Sequence, residues 1–167
     1  LKKYNPYNYK LLEFGSGTGK HAQFLVNIGY TVHGIEKSKK MISLAKQGNG
    51  FSCEEGDICN LNLDSKFENI FSFFHVMSYQ TTNSQINDVF KSASLHLVKG
   101  GLFIFDAWYT PGVNYNQPSV RYKNIKYKNF EIFRIAEPSN VVNSNIVDIN
   151  YTILIKNNDD NSLKTIK

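Results

Sequence analysis

Residues 11–21 of the chain read LLEFGSGTGKH. The apolar start of this segment predicts a strand over Lys10–Phe14, and the apolar spacing after it predicts a helix over His21–Ile28. Three alternating glycines lie between the two (Gly15, Gly17 and Gly19), where they allow a tight turn and let a ligand approach the backbone. The spacing GxGxG differs from the GxGxxG of dinucleotide-binding proteins and from the GxxxxGK[ST] of phosphate loops. Taken alone, it also fits a purely structural turn.

Short apolar runs continue to alternate with helical stretches as far as about residue 110. They predict strands over Thr31–Ile35, Phe51–Cys53, Glu68–Phe74 and Leu102–Ala107, with helices from Ser38 to about Lys46 and from a cap at Asn83 or Ser84 to about Leu97. This rhythm is typical of βα units around a parallel sheet. The last of these strands, LFIFDA, is apolar enough that we expect it to be buried on both faces.

The pattern changes after Pro111-Gly112, where a turn and no helix are expected. Alternating residues over Val120–Tyr127, Phe130–Ala136 and Ile146–Lys156 predict an antiparallel meander, with a hairpin turn at residues 157–161 and a further strand beginning in residues 162–167. The sequence therefore predicts an α/β part over residues 1–110 and an antiparallel β-meander over residues 111–167.

Acidic side chains follow the second and third predicted strands. Glu36 ends the second strand, where a carboxylate can accept hydrogen bonds from both hydroxyls of a ribose. Asp57 follows the third strand and can face an adenine amino group, and the neighbouring Ile58 can pack on the ring. Singly, each residue also fits an ordinary exposed strand end. Together they predict an adenosine-containing ligand, although the glycine turn and Glu36 alone would also permit a nicotinamide-binding oxidoreductase.

These segments resemble a known family. LLEFGSGTGKH resembles motif I of class I S-adenosylmethionine-dependent methyltransferases, and LVKGGL at residues 97–102 resembles the LKPGG segment before their fifth strand. The resemblance spans about residues 10–110 and implies a Rossmann-like methyltransferase fold, with S-adenosyl-L-methionine as cofactor and S-adenosyl-L-homocysteine as product. It implies that Glu13 holds the methionine part through its amino group or a bound water. The implied cofactor residues are Glu13, Gly15, Ser16, Gly17, Gly19, Glu36, Lys37, Asp57, Ile58 and Phe74.

Two further segments, FHVMSYQ at residues 74–80 and FDAWY at residues 105–109, resemble a narrower group of small-molecule methyltransferases. That group includes the N,N-dimethyltransferases of amino-sugar biosynthesis. In it, a β-meander inserted after the fifth strand assists substrate binding or dimerisation, which residues 111–167 would match. The resemblance implies a small-molecule substrate, such as a nucleotide-linked amino sugar, and a homodimer through the meander. It also implies that the last strands of the fold lie beyond Lys167.

Several side chains near the fourth and fifth strands are candidates for the substrate side. His75 is a candidate base for an amine nucleophile, or a hydrogen-bonding partner of the cofactor or backbone; Asp106 is a candidate for orienting the acceptor, or for capping the next loop. Tyr79, Trp108 and Tyr109 could line a pocket or simply pack. O-methylation of a small metabolite, and a cofactor-binding module without catalysis, remain as alternatives.

Composition limits the other classes of function. The formal net charge is +5, but the lysines are scattered, which gives nucleic-acid binding little support. The Asn/Asp-Pro-Pro-aromatic signature of base methylation does not follow the fourth strand. The two cysteines and the histidines at 21, 33 and 96 lack metal-ligand spacing, so no metal site is expected. No apolar run reaches the roughly 18 residues of a membrane span, and the cytoplasm is the expected location.

Overall fold

The computed structural model of the chain describes residues 10–140 and 145–167. Residues 1–9 of the predicted α/β part and residues 141–144 of the predicted meander lie outside these ranges. The chain divides into two compact units between Trp108 and Tyr109.

Strands and helices alternate throughout the described part of the first unit. Their order is β1 (Lys10–Phe14), α1 (Lys20–Asn27), β2 (Thr31–Glu36), α2 (Lys39–Leu44), β3 (Phe51–Glu55), a 3₁₀ turn (Ile58–Asn60), β4 (Phe67–Ser72), a second 3₁₀ turn (Val76–Tyr79), α3 (Asn83–His96) and β5 (Leu97–Phe105). The strands pair in parallel in the order β3-β2-β1-β4-β5. The predicted Rossmann-like α/β fold is confirmed.

Successive side chains of the central strand β1 point to opposite faces of the sheet, and both faces are covered. Leu12 and Phe14 pack in one cluster with Val89 of α3, whereas Leu11 packs in the other with Ala22 of α1; none of these side chains is exposed. The sheet thus holds β1 rigidly, and the carboxyl ends of β1, β2, β3 and β4 meet at one edge.

The structure corrects three details of the predicted elements. Thr82, not Asn83 or Ser84, caps α3, because Gln85 three residues later completes a reciprocal capping box with it. Strand β4 ends at Ser72 and not at residue 74. Phe74 and His75 adopt left-handed backbone angles, which do not fit a strand. Strand β5 begins at Leu97 and pairs only with β4 among the described strands. It is half-buried, so the expectation of burial on both faces is wrong.

The second unit begins with a short helix and continues as an antiparallel sheet. Helix α4 (Thr110–Tyr115) contradicts the prediction of a turn without a helix. Pro111 lies in its first turn, where the missing N–H has no helical partner to lose. The strands are β6 (Arg121–Lys126), β7 (Phe130–Asn140), β8 (Val147–Asn157) and β9 (Leu163–Ile166), paired in sequence order. The predicted meander is confirmed.

The burial of β1 makes its apolar side chains decisive for stability. Leu12→Ala should lower the free energy of unfolding by about 2–5 kcal/mol, because it removes a fully enclosed side chain and leaves a cavity. Urea unfolding followed by circular dichroism measures this change. The matched control is Leu44→Ala on α2, which is mostly exposed and should change stability by less than about 0.5 kcal/mol. Equal effects of the two substitutions would contradict the described core.

Candidate active site

The glycine loop after β1 is tied to the end of β2 by a carboxylate. The Gly17 N–H donates to Oε2 of Glu36 at 2.8 Å, and the Ser38 N–H donates to Oε1 at 2.8 Å. The N–H groups of Gly15 and Ser16 donate to the carbonyl of Ile35 at 2.8 and 3.1 Å. The loop and the strand-end acid singled out in the sequence therefore lie side by side.

Close packing explains why the loop starts with glycine. Gly15 has φ 71°, which favours glycine, and a Cβ at this position would lie 2.5 Å from Cγ2 of Val76. The loop thus has Val76, from the turn after β4, directly against its backbone. A side chain at position 15 would therefore clash with the Val76 side chain and adopt a strained backbone conformation.

Glu13 is the most unusual side chain of the site, because it is an acid with only 1% of its surface exposed. Its Oε1 lies 3.3 Å from Nδ1 of His21, and its Oε2 is enclosed without a hydrogen bond from any residue in the described ranges. Burial, and next the negative charge of Glu36, raise the pKa of Glu13 from 4.5 to about 8. The carboxyl group is therefore largely protonated at neutral pH.

The His21 contact was not foreseen from the sequence, where this histidine showed no ligand spacing. The feature of the sequence that could have indicated this contact is the position of His21, two residues after the last glycine and in the first turn of α1. Since α1 packs on the same side of the sheet as Leu11, the start of this helix lies over the alternate residue Glu13.

The side chain of Ser16, one of the predicted cofactor residues, is buried. Its Oγ lies 3.1 Å from Sγ of Cys53 on β3, and a Cβ on Gly34 of β2 would approach that Oγ to 2.5 Å. Burial raises the pKa of the Cys53 thiol. Cys53 and Gly34 thus pack against Ser16 of the loop. No spacing in the sequence indicated this role.

Lys37 and Asp57 form an ion pair at the ends of β2 and β3. Nζ of Lys37 lies 2.8 Å from Oδ2 of Asp57, while Oδ1 of Asp57 accepts the Cys59 N–H at 3.0 Å. The hydrogen bond between the two side chains lowers the pKa of Asp57 and raises that of Lys37. Ile58, the other residue of the predicted adenine pair, is 8% exposed and packs in the core. It therefore offers a ligand little surface.

His75 and Asp106, the two catalytic candidates, come together after β4 and β5. Oδ1 of Asp106 accepts the backbone N–H of His75 at 2.9 Å, and Oδ2 lies 3.7 Å from Nδ1 of its ring. The backbone N–H of Asp106 donates to the carbonyl of Ser72 at 3.2 Å, which holds the backbone of Asp106 beside the end of β4. Both side chains remain partly exposed. The arrangement can orient an imidazole and stabilise it when it takes up a proton.

The aromatic candidates differ in their surroundings. The Trp108 ring meets the His75 ring edge-on, with 6.2 Å between centroids, and the backbone N–H of Trp108 donates to Oγ of Ser78 at 3.4 Å. Phe74 and Tyr79 are about three-quarters exposed. Tyr109 belongs to the second unit and is also exposed. Of these aromatics, the structure brings Trp108 and Phe74 next to His75.

Within residues 10–140 and 145–167 there is no group of three or more His, Cys, Asp or Glu side chains that could hold a metal ion. None of the helices in these ranges has the length and hydropathy that crossing a bilayer requires.

Comparison with known proteins identifies the family. The family model described as a methyltransferase domain matches residues 11–101, more than half of the chain. This chain belongs to the methyltransferase domain family. The match confirms the resemblance to class I S-adenosylmethionine-dependent methyltransferases that motif I indicated, and it ends at the glycines that precede the apolar half of β5.

Two sequence relatives illustrate the range of similarity. The chain is 20% identical over 154 residues to dTDP-3-amino-3,6-dideoxy-alpha-D-glucopyranose N,N-dimethyltransferase of Streptomyces fradiae, covering 92% of this chain and 60% of the relative. It is 33% identical over 97 residues to an uncharacterized methyltransferase of Bacillus cytotoxicus, covering 57% of this chain and 45% of the relative. The chain thus spans less than two-thirds of either relative.

Solved structures with the same fold cover almost the whole chain. The sugar N-methyltransferase KedS8 of Streptoalloteichus has a TM-score of 0.88 at 17% identity, over 99% of this chain and 65% of its own. DesVI of Streptomyces venezuelae has a TM-score of 0.83 at 20% identity, over 99% of this chain and 69% of its own. At such identities the similarity establishes the fold.

The buried Glu13 should make stability depend on pH. Its folded pKa is about 8 and its ordinary value is 4.5, so between these values the folded chain keeps a proton that the unfolded chain releases. This contribution therefore makes the free energy of unfolding fall as pH rises, by at most about 1.4 kcal/mol per pH unit. Glu13→Gln should remove that part of the slope, as measured by urea unfolding of the ligand-free protein between about pH 5 and 8.

The control for this measurement is Asp64→Asn, which removes an exposed carboxylate between the first 3₁₀ turn and β4. Its slope should match that of the unsubstituted protein. A Glu13→Gln protein with an unchanged slope would show that Glu13 is ionised at neutral pH in the fold.

Proposed function

We propose that this chain forms the cofactor-binding part of an S-adenosylmethionine-dependent methyltransferase that methylates an amine of a small molecule. The observation that carries the proposal is the hydrogen bond between the Gly17 N–H and Glu36 Oε2, in a chain of the methyltransferase domain family. It joins a backbone surface that a ligand can approach to a carboxylate that can bind ribose hydroxyls.

The site residues fit the charges of this cofactor. The enclosed Oε2 of Glu13 lacks a donor among the described residues, and a cationic amino group would supply one. Each carboxylate oxygen of Glu36 accepts one backbone N–H and keeps capacity for a second donor, such as a ribose hydroxyl. Lys37 and Asp57 lie exposed at the neighbouring strand end, where Asp57 could accept from an adenine amino group. When bound, S-adenosyl-L-methionine supplies an electrophilic methyl group on a sulfonium.

His75 and Asp106 support a role on the acceptor side. An amine attacks a methyl group only through a free electron pair, so the ammonium form must first lose a proton. With Asp106 directed at Nδ1, the other ring nitrogen of His75 is left to accept that proton, and the Asp106 charge stabilises the resulting imidazolium. We therefore propose His75 as the base and Asp106 as the residue that orients it.

An amino sugar, carried on a nucleotide, is the substrate class that we favour. Two of the similar proteins have names that point to sugars: the Streptomyces fradiae enzyme is named for a dTDP-linked amino sugar, and KedS8 is named a sugar N-methyltransferase. Trp108, adjacent to His75, offers a ring face suited to a sugar or a cation. Substrate contacts from Tyr79 and Tyr109, and a role for the meander in binding substrate or pairing two copies, are part of the same proposal.

Calorimetry with S-adenosyl-L-homocysteine tests the cofactor assignment. Glu36→Gln should weaken binding by about 1–3 kcal/mol, because an amide cannot accept from Gly17, Ser38 and both ribose hydroxyls together. Glu54→Gln on the adjacent strand is the matched control and should bind like the unsubstituted protein. Binding of reduced nicotinamide cofactor in place of S-adenosyl-L-homocysteine would reject the proposal in favour of an oxidoreductase.

Transfer of a radiolabelled methyl group tests the acceptor side, using a protein that extends over the full length of its relatives. His75→Asn should lower the rate of methylation of a nucleotide-linked amino sugar by about 10²-fold or more, since the base is lost. Asn tolerates the left-handed backbone at this position, so cofactor affinity should be retained. The control substrate is the same nucleotide sugar with a hydroxyl in place of the amine. Equal transfer to this control would point to O-methylation.

A further inference from the structure

The contact between His21 and Glu13 joins a half-exposed ring to an almost fully enclosed carboxyl group. Nδ1 of His21 lies 3.3 Å from Oε1 of Glu13, and the exposed fractions of the two side chains are 49% and 1%. The His21 ring is also held from the end of β4, where Phe73 meets it edge-on with 6.1 Å between centroids. The ring therefore links the enclosed acid to solvent.

We propose that His21 is a positioning residue for the cofactor's amino group: it holds Glu13 by Oε1 and removes the proton that Glu13 loses when the amino group binds at Oε2. This inference rests on the proposed function. It assigns to His21 a role in cofactor affinity that neither the glycine loop nor Glu36 supplies.

The proton balance follows from the two side chains. Burial keeps Glu13 largely protonated at neutral pH, whereas a cationic amino group is bound best by the ionised carboxylate. The O–H bond at Oε1 breaks and an N–H bond forms at Nδ1 of His21. The exposed side of the ring then releases its Nε2 proton to water, and the new Nδ1–H donates to Oε1 of the carboxylate. One proton leaves the protein for each amino group bound.

The other groups around Glu13 favour this role for His21. Glu36 from β2 adds negative charge, and Cys53 from β3 is a buried free thiol that is hydrogen-bonded to Ser16. The residue of β4 paired with Glu13 is the apolar Phe71. Among the described residues, His21 is the basic side chain within ion-pair distance of Glu13.

Calorimetry with two ligands separates this role from general support of the fold. S-adenosyl-L-homocysteine carries the amino group, whereas 5′-methylthioadenosine has the same adenosine part and lacks the amino-acid part. Repeating each titration in buffers of different ionisation enthalpy, between about pH 6 and 7.5, counts the protons released. For the unsubstituted protein we expect close to one proton with S-adenosyl-L-homocysteine, an affinity that rises with pH by up to about tenfold per unit, and neither effect with 5′-methylthioadenosine.

Variants at position 21 complete the test. His21→Ala should weaken S-adenosyl-L-homocysteine binding roughly tenfold or more and leave 5′-methylthioadenosine binding unchanged, because only the amino group depends on Glu13. His21→Asn places an amide donor near the position of Nδ1 and should restore most of the loss. His33→Ala is the matched control. It removes another histidine that contacts a carboxylate, Glu54, and should affect neither ligand.

The outcomes distinguish the two proposals. An equal loss of both ligands in His21→Ala would make His21 merely structural, and tighter binding of S-adenosyl-L-homocysteine would make it a competitor of the amino group; either result overturns the inference. Binding of both ligands without proton release also overturns it, but leaves the proposed function standing. An unsubstituted protein that binds neither ligand overturns both.

Discussion

Glu36 accepts backbone hydrogen bonds from two directions, from Gly17 in the loop and from Ser38 at the start of α2. Since the carboxylate belongs to the last residue of β2, these bonds fix both segments to the end of the central sheet. Charged hydrogen bonds of this kind are stronger than neutral ones, so the loop geometry is largely set before a ligand arrives. A site arranged in this way loses little conformational entropy on binding.

A second acid, Glu13, is buried near the first, and this burial is costly for the fold. Burial and the charge of Glu36 both disfavour its ionised form. Replacing it with an apolar residue would relieve that cost, so its presence is explained better by a ligand than by stability. A cofactor with a sulfonium and an amino group brings two positive charges toward two acids. The unfavourable electrostatics of the ligand-free site would then become favourable in the complex.

The α/β order, the glycine loop and the meander could be predicted from sequence, because periodicity and glycine spacing report local backbone geometry. The contacts between loop and strand could be predicted only in part. The pattern predicts that Glu36 ends β2. The pairing of Lys37 with Asp57 and the burial of Ile58 depend instead on packing between strands. The His21 contact required knowing how α1 crosses β1, which hydrophobic spacing leaves undetermined. The short helix α4 could not be predicted, because the Pro111-Gly112 pair is also typical of turns.

The backbone after β4 supports a functional reading of His75. Phe74 and His75 both have φ 64°, an uncommon conformation for residues with a Cβ that costs of order 1–3 kcal/mol for each. Such strain persists where surrounding contacts over-determine the chain, and here Asp106 accepts the His75 N–H. A glycine would relieve the strain but would place no imidazole beside Asp106. The cost is therefore accounted for if the position of the ring beside Asp106 is itself used, as the proposed base would require.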